Sequence, residues 1–318
     1  MSQPASLSRF AWLSILAALA TIGLKTGAWW VTGSVGFLSD ALESVVNLAG
    51  ATMALAMLAI AARPADESHA FGHGKAEFFS SAFEGILIAL AAGGIGWAAI
   101  ARLLDPQPIE QFGLGVAVTV AASLINLAVG LLLLRAGRAH GSIALEADGH
   151  HLMTDVWTSV GVILGVGLAA LTGWLWLDPA VALAVGVNIL WTGWRLARRS
   201  AHGLMDGALP ADQLQALEAV LDGYRAQGLA FHAVRTRQAG VRCFVSMHVL
   251  VPGAWTVQQG HDLLERIEAE VRAAIPRSSV FTHLEPIEDP VSMADRFLDR
   301  DDGPAAGAPP AGRPAQRP

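Results

Sequence analysis

The sequence predicts a polytopic α-helical membrane protein with six transmembrane helices and a small C-terminal α+β domain. Three observations lead to this fold class. The chain has 318 residues, of which 53% are hydrophobic and 15% charged, with a mean hydropathy of +0.46, so it is too apolar for an ordinary soluble enzyme. Six apolar segments before residue 203 are each long enough to cross a bilayer. Residues 204–290 then return to the charge density of a soluble domain.

The first apolar segment must be distinguished from a cleavable signal peptide. Ala18, Leu19 and Ala20 imitate a cleavage site, but the apolar run continues to Val31, so we interpret it as a membrane helix. Very short connections at 32–36 and 172–178 make the helices that they join antiparallel neighbours. The six predicted segments lie roughly at 9–31, 37–61, 78–103, 112–136, 144–171 and 179–198.

Basic residues predict the orientation of the helices. Lys and Arg gather at one end of the bundle, and only Arg102 falls at the other end. The basic end is expected on the cytoplasmic side of the inner membrane, which places both termini, including residues 1–8, in the cytoplasm. A net charge of −6 without a basic patch argues against nucleic acid as a partner. The residues at the basic end are Arg9, Arg63, Lys75, Arg135, Arg138, Arg195, Arg198 and Arg199.

The C-terminal domain is predicted to contain two helices and three strands. The helices are expected at 211–227 and 256–274, and the strands at 231–238, 241–250 and 278–285. The single cysteine, Cys243, excludes an intramolecular disulfide and any zinc site with several cysteines, and its alternating apolar neighbours predict a buried strand position. Residues 291–318 are predicted to form a disordered tail, since Pro, Ala, Gly and Arg there show no periodicity.

Two of the apolar segments begin with a polar stripe. Each stripe places residues at i, i+3 and i+7 on one helix face: Asp40, Glu43 and Asn47 in the second segment, and Asp148, His151 and Asp155 in the fifth. A carboxylate in a membrane helix costs about 2.5–3.5 kcal/mol, so it usually faces a partner, a cavity or a substrate. Nitrogen and oxygen ligands without sulfur suit Zn²⁺, Fe²⁺, Co²⁺ or Mn²⁺. Ordinary capping and interfacial polar groups are the alternative. The predicted tetrahedral metal site consists of Glu43, Asn47, His151 and Asp155.

Two further groups combine histidines with carboxylates. Asp66, His69 and His73 lie in the loop between the second and third helices and could bind a metal there, although a solvated polar loop is the alternative. The soluble domain contains a second group, predicted to bind a structural metal ion: His232, His248, His261, His283 and Glu285. Lys25 and Glu84 lie inside the first and third helices, and we assign them no role.

Five motifs together resemble the cation diffusion facilitator family of divalent-metal/proton antiporters, which includes bacterial zinc and ferrous-iron efflux proteins. The resemblance extends from about residue 8 to residue 287. The motifs are Asp-Ala-Leu-Glu-Ser-Val-Val-Asn at 40–47, Phe-Gly-His-Gly-Lys-Ala-Glu at 71–77, His-Leu-Met-Thr-Asp at 151–155, Leu-Met-Asp-Gly-Ala-Leu-Pro at 204–210 and Arg-Thr-Arg-Gln at 235–238.

The resemblance implies a homodimer of six-helix protomers whose cytoplasmic domains are metallochaperone-like. It places the transport ligands at the predicted tetrahedral site, a loop site at Asp66, His69 and His73, and a dimer-bridging metal site at the five residues of the soluble domain. It also implies a charge interlock between Lys75 and Asp206. Two positions depart from the family pattern, which usually has Asp or His where this chain has Glu43, and most often Asp where it has Asn47.

The predicted activity is export of a divalent transition metal from the cytoplasm in exchange for protons. Zn²⁺ is the first expectation, with Fe²⁺, Co²⁺, Cd²⁺ and Mn²⁺ as alternatives. Metal and protons compete for the same lone pairs, so His151 and Asp155 are the expected proton-coupling groups. We predict that the chain is not an enzyme. The alternatives are a membrane-embedded metalloenzyme, which would need an open coordination position and a general base, and a metal sensor that uses the helices only as an anchor.

Overall fold

The computed structural model describes residues 5–32, 35–104, 112–174, 176–294 and 296. The chain divides into two compact units, Met1–Gly207 with Ala239–Val241 and Ala208–Gln238 with Arg242–Pro318. The predicted start of the cytoplasmic domain at residue 204 coincides with the end of the sixth helix. The predicted N-terminal segment 1–8 and the tail after 296 lie largely outside the described residues.

Six long helices form the first unit, and each has between 27 and 30 residues. At about 1.5 Å per residue, each is longer than the roughly 30 Å hydrocarbon core of a bilayer. The predicted polytopic helical fold is therefore confirmed. The helices are α1 (Ala5–Thr32), α2 (Val35–Ala61), α3 (Ala76–Leu104), α4 (Phe112–His140), α5 (Ile143–Thr172) and α6 (Leu177–Leu204).

Hydropathy identifies the membrane-spanning part of this unit. Within the described residues, α1, α3, α4 and α6 are long and apolar enough to cross a membrane, and α2 contributes the shorter apolar stretch Asn47–Ala61. The two remaining helices, α2 and α5, are the ones with the predicted polar stripes. By length and composition, the first unit is thus a helical membrane domain.

The first unit places apolar side chains outside and polar side chains inside. Trp30, Trp97 and Trp194 are between 59% and 82% exposed, as expected for residues that contact lipid. The buried polar and charged residues gather instead between the helices. In the membrane helices they include Ser14, Thr21, Asn47, Ser80, Ser81, Glu84, Asn126, Asp148, His151, Thr154 and Asp155.

Glycines allow two of the membrane helices to pack closely. A Cβ at Gly193 of α6 would lie 3.0 Å from the carbonyl oxygen of Gly85 of α3, and a Cβ at Gly85 would lie 3.1 Å from the carbonyl oxygen of Gly193. Small residues at such an interface bring the helix backbones together, which is the usual basis of helix association in membranes. This close contact holds the turn of α3 that contains Gly85 against α6. Glu84 is the residue directly before Gly85, so its position is fixed by the same contact.

The second unit is the predicted small α+β domain. A three-stranded sheet has the order β1-β2-β3, with β2 and β3 parallel. The tight turn between β1 and β2 makes that pair a hairpin, whereas α8 forms the crossover between the parallel strands. Every predicted helix and strand is present, with ends that differ by one or two residues. The elements are α7 (Ala211–Arg225), β1 (Ala230–Ala239), β2 (Arg242–Val251), α8 (Val257–Ala274) and β3 (Ser278–Pro286).

Alternation along β2 separates the domain core from the polar face. Val245, Met247 and Val249 are buried in the core with apolar residues of α7 and α8, while Ser246 and His248 point the other way. Cys243 is buried in the same strand, as predicted, and burial raises the pKa of its thiol. A capping box between Thr256 and Gln259 starts α8.

The chain continues past β3 into a short 3₁₀ helix, Pro290–Met293. Asp289 caps this helix by accepting a hydrogen bond from the backbone N–H of Val291, and the buried Ser292 donates to the carbonyl oxygen of Pro286. Residues 291–293 of this helix belong to the segment 291–318 that was predicted to be a disordered tail, so the regular structure extends a few residues further than expected.

Candidate metal sites

Three residues of the predicted transport site meet inside the helical bundle. Asn47 of α2 and His151 and Asp155 of α5 are 4%, 4% and 9% exposed. The Asn47 side-chain amide donates to the Asp155 carboxylate, and His151 Nε2 lies 2.6 Å from Asn47 Oδ1. We call these three residues the intramembrane cluster. Glu43 lies four residues before Asn47 on α2, but its side chain and that of Asp40 are outside the described part of the chain.

The orientation of the Asn47 amide determines which atoms donate and which accept between Asn47, Asp155 and His151. The Asn47 amide nitrogen faces the Asp155 carboxylate, so its oxygen must face His151. An amide oxygen only accepts, which requires a hydrogen on His151 Nε2. The other ring nitrogen, Nδ1, lies 3.2 Å from a carboxylate oxygen of Glu84. Both nitrogens of the imidazole thus face oxygen acceptors.

Other buried polar groups surround the intramembrane cluster. Asn126 of α4 donates to Asp155 Oδ2 at 3.1 Å, and Ser14 of α1 donates to Asp148 Oδ1 at 3.0 Å. The carboxylates of Asp148 and Asp155 are near enough to interact electrostatically with Glu84. Carboxylates that are buried close together repel one another, and a divalent cation would relieve this repulsion.

The sequence analysis did not assign a role to Asn126 or Ser14, and it left Glu84 without one. The only signal in the sequence is that each is a polar residue within an apolar segment. The helical period gives the face on which such a residue lies, but it does not give the helix that this face contacts.

The loop site contains all three predicted residues, Asp66, His69 and His73, which we call the loop cluster. Their ligand atoms lie within 4.8 Å of one another. Asp66 Oδ1 is 3.3 Å from His69 Nδ1, and Asp66 Oδ2 is 3.4 Å from His73 Nε2. Gly72, with a φ of +82°, provides the left-handed turn that brings His73 back towards Asp66. This arrangement offers a metal ion two imidazoles and one carboxylate.

The loop cluster is open to water. The side chains of Asp66 and His69 are 51% and 56% exposed, and only His73 is largely covered. The Ser68 hydroxyl and the backbone N–H of His69 donate to Asp66, and these hydrogen bonds lower the pKa of its carboxyl group. The carboxylate therefore stays ionised, and able to bind a cation, in mildly acidic solution.

The soluble domain also assembles its predicted ligands. His232 Nε2 of β1 lies 2.6 Å from Glu285 Oε2 of β3, and His248 Nδ1 of β2 lies 3.3 Å from the same oxygen. His283 is paired with His248 in the parallel ladder, and its Nε2 lies 3.6 Å from Glu285 Oε1. We call these four residues the cytoplasmic cluster. The ligand atoms of His232, His248 and Glu285 lie within 4.8 Å of one another, whereas His283 lies outside this closer group. The fifth predicted residue, His261, is exposed on α8 and is also outside it.

Burial within the cytoplasmic cluster is uneven. His232 and Glu285 are buried, whereas the His283 side chain is 66% exposed. Ala233, directly after His232, has a φ of +48°, which is unfavourable for a residue with a Cβ. Backbone strain of this kind persists where surrounding structure fixes a side chain, here the imidazole of His232.

The predicted charge interlock is an ion pair at the end of α6. Lys75 Nζ lies 3.0 Å from Asp206 Oδ1 and donates to the carbonyl oxygen of Leu204 at 3.2 Å. Asp206 has a φ of +57°, a left-handed conformation that Asp tolerates better than most residues. Both side chains are partly exposed, so the pair is expected to contribute at most about 1 kcal/mol.

Two family models cover this chain. A model described as the cation efflux transmembrane domain matches residues 11–205, and one described as the cation efflux protein cytoplasmic domain matches residues 209–287. The chain belongs to the cation diffusion facilitator family. It is therefore a cation efflux transporter and not an enzyme, which rules out the metalloenzyme alternative.

Relatives of this cation diffusion facilitator extend over most of the chain. An uncharacterised transporter from Synechocystis sp. is 57% identical over 283 residues, covering 89% of this chain and 91% of that protein. The cation-efflux pump FieF from Klebsiella pneumoniae is 30% identical over 294 residues, covering 92% and 97%. FieF from Cronobacter sakazakii is 31% identical over 294 residues, covering 92% and 95%.

Proposed function

We propose that this transporter exports a divalent transition-metal cation, Zn²⁺ foremost, from the cytoplasm in exchange for protons. The observation that supports this most directly is the buried intramembrane cluster of Asn47, His151 and Asp155. Together with Glu43 on the same face of α2, it offers one imidazole nitrogen and several oxygens. Such a ligand set suits Zn²⁺, with Fe²⁺, Co²⁺, Cd²⁺ and Mn²⁺ as further substrates.

Proton coupling follows from the contacts of His151. Its Nε2 carries a hydrogen towards Asn47, yet a metal ion needs the lone pair of a nitrogen in that direction. In the proposed metal-free state, His151 is an imidazolium with one hydrogen towards Asn47 and one towards Glu84. Metal binding at Nε2 then releases one proton and leaves the hydrogen on Nδ1, and metal release takes one proton back. His151 and Asp155 are the groups through which the two cations compete. If the cluster faces each side of the membrane in turn, the proton gradient drives metal export.

The other two clusters support transport from the cytoplasmic side. The six helices within residues 9–203 form the proposed transport domain. The distribution of Lys and Arg indicates that both termini lie in the cytoplasm. The loop cluster would bind a second ion on the cytoplasmic side of α2 and α3. The cytoplasmic cluster would hold a structural Zn²⁺ in the domain 204–290 and link two copies in a homodimer. The match to the family's cytoplasmic domain supports this dimer.

Metal uptake into proteoliposomes tests the proposal. Purified protein is reconstituted, a pH gradient is imposed, and Zn²⁺ accumulation is followed with a trapped fluorescent indicator. We expect uptake that increases with the gradient and collapses when a proton ionophore removes it. Fe²⁺, Co²⁺, Cd²⁺ and Mn²⁺ are compared in turn, and Mg²⁺, which prefers octahedral oxygen ligands, is the control. Zn²⁺ uptake that ignores the pH gradient would contradict proton exchange, and no uptake of any metal would contradict the proposed function.

A further inference from the structure

We propose that Glu84 is a positioning residue of the transport site: its carboxylate orients His151 and supplies the negative charge that Asn47 lacks. This inference rests on the proposed function and extends it to a residue of α3. The sequence analysis gave Glu84 no role, because its position in an apolar segment does not show what it contacts.

Glu84 is completely buried, and its carboxylate points into the intramembrane cluster. Its relative exposure is 0%, and Oε2 lies 3.2 Å from His151 Nδ1. Neither carboxylate oxygen of this described residue makes a hydrogen bond. Burying a carboxylate is costly unless a charge or hydrogen-bond donor compensates it, so its placement against His151 requires an explanation.

The two nitrogens of His151 have different partners. Nε2 faces Asn47 and, beyond it, Asp155, whereas Nδ1 faces Glu84. A histidine that binds a metal through one ring nitrogen usually donates the N–H of its other ring nitrogen to a carboxylate. This hydrogen bond fixes the ring orientation and strengthens the bond to the metal. Glu84 has the position of that carboxylate if the metal lies on the Nε2 side, next to Asn47 and Asp155.

A glycine on α2 makes room for the carboxylate. A Cβ at Gly50 would lie 2.9 Å from Glu84 Cδ and 3.0 Å from Oε2. Gly50 is three residues after Asn47, hence on the same face of the helix. The carboxylate is therefore packed directly against the α2 backbone beside the cluster, and α2, α3 and α5 all contribute to one site.

Charge gives the second reason for the assignment. Asn47 is neutral, so the intramembrane cluster itself contains one carboxylate, Asp155. Glu84 adds a carboxylate next to His151, in addition to those of Asp155 and of Glu43 in the proposed site. A dication in a low-dielectric site is stabilised by nearby negative charge even when the carboxylate does not bind it directly. In this proposal, Glu84 of α3 supplies the negative charge that an Asp at position 47 of α2 would supply in the family pattern.

The test compares Glu84→Gln with Glu77→Gln in the full-length protein. Glu77 is an equally buried carboxylate on α3, but its carboxylate contacts Ser142 instead of the cluster. We expect Glu84→Gln to weaken Zn²⁺ binding by roughly 10–100-fold, with a matching rise in the KM of uptake. Glu77→Gln should leave both unchanged. Gly50→Ala, which displaces the carboxylate without removing it, should also raise KM.

A charge relocation separates this role from a merely structural one. The variant Asn47→Asp/Glu84→Gln returns the carboxylate to α2, and we expect its Zn²⁺ affinity to recover to within about tenfold of the wild type. Glu84→Gln with wild-type affinity and KM would overturn the proposal. So would a loss that accompanies a lowered melting temperature and that Asn47→Asp fails to rescue. A wild-type protein without Zn²⁺ uptake would contradict the proposed function itself, whereas wild-type uptake with an unaffected Glu84→Gln variant would contradict only the role of Glu84.

Discussion

The intramembrane cluster and the cytoplasmic cluster are built from similar groups but differ in their access to water. All three residues of the intramembrane cluster are less than 10% exposed and lie on long helices. In the cytoplasmic cluster, His232 and Glu285 are buried, but His283, which lies on the same strand as Glu285, is 66% exposed.

This difference indicates different uses of a metal ion. Polar groups in an enclosed low-dielectric site must be satisfied at every stage, so when the metal leaves, another cation has to replace it. In the proposed exchange, a proton on His151 would meet that need. A partly exposed cluster can complete its coordination with water or with a residue of a second copy. Its polar groups are also solvated without a metal, so no second cation has to replace the ion, and the cluster suits an ion that stays bound and stabilises the domain.

Asp155→Ala should abolish transport while the protein remains a folded dimer. Asp155 is the one carboxylate within the intramembrane cluster, and both Asn47 and Asn126 donate to it. Its removal takes away the acceptor to which two buried amides donate and one of the two carboxylate ligands of the proposed site. The measurement is Zn²⁺ uptake into proteoliposomes, with size-exclusion chromatography to verify the dimer. Asp262→Ala, at an exposed position of α8, is the control. Normal uptake by Asp155→Ala would remove Asp155 from the site.

The cytoplasmic cluster should affect stability more than transport. The second unit has its own apolar core, so residues 207–290 can be tested alone. At a Zn²⁺ concentration of about 100 times Kd, binding stabilises the folded state by about 2.7 kcal/mol, or roughly 10–20 °C for a domain of this size. His232→Ala/His283→Ala should lose this stabilisation, as followed by thermal unfolding.

His261→Ala is the matched control for the cytoplasmic cluster. His261 is exposed on α8, away from the other four ligands, so this variant should retain most of the Zn²⁺ stabilisation. If the melting temperature of the unmodified domain does not respond to Zn²⁺, the cytoplasmic cluster is not a metal site. A loss in His261→Ala equal to that of the double variant would place His261 among the ligands.

Asn47→Asp should tighten metal binding by about tenfold, equivalent to about 1.4 kcal/mol. The new carboxylate adds negative charge next to Asp155 and can also bind a proton. At lower pH the new carboxylate is protonated, and this proton must leave before the metal binds. The metal affinity should therefore fall more steeply with decreasing pH than in the parent protein. Metal affinity is measured from mildly acidic to mildly basic pH in both proteins. Identical affinities and pH slopes would mean that Asn47 does not contact the metal.

The smallest effect is expected at Lys75 and Asp206. The pair is 3.0 Å apart but partly exposed, so its coupling energy should be about 0.2–1 kcal/mol and should decrease at high salt. A double-mutant cycle with Lys75→Ala and Asp206→Ala, read by thermal unfolding, measures it. A salt-independent coupling well above this range would show that the ion pair is shielded from water in the assembled protein.

The amino-acid sequence was sufficient for the elements and for most of the ligand positions. Long apolar runs and local periodicity predict the helices and strands, and all of the predicted elements are present. The ends of the C-terminal elements shift by one or two residues, and the membrane helices extend up to six residues beyond the predicted apolar segments. The i, i+3, i+7 spacing placed Asn47 on one face of α2, and His151 and Asp155 together on α5, because side-chain direction within a helix depends only on its own geometry. The loop cluster could also be predicted, since its three residues are close in the sequence. The assignment of metal ligands itself stays a prediction.

Only the tertiary structure showed which groups meet between elements. His151 meets Glu84 of α3, Asp155 meets Asn126 of α4, and Asp148 meets Ser14, which is 134 residues earlier in the chain. In the soluble domain, strand order brought His232 to Glu285 across 53 residues and left His261 apart. A periodic pattern defines the face of a helix or strand, but neighbours and rotation depend on packing between elements, including the close approach that Gly50 allows for Glu84.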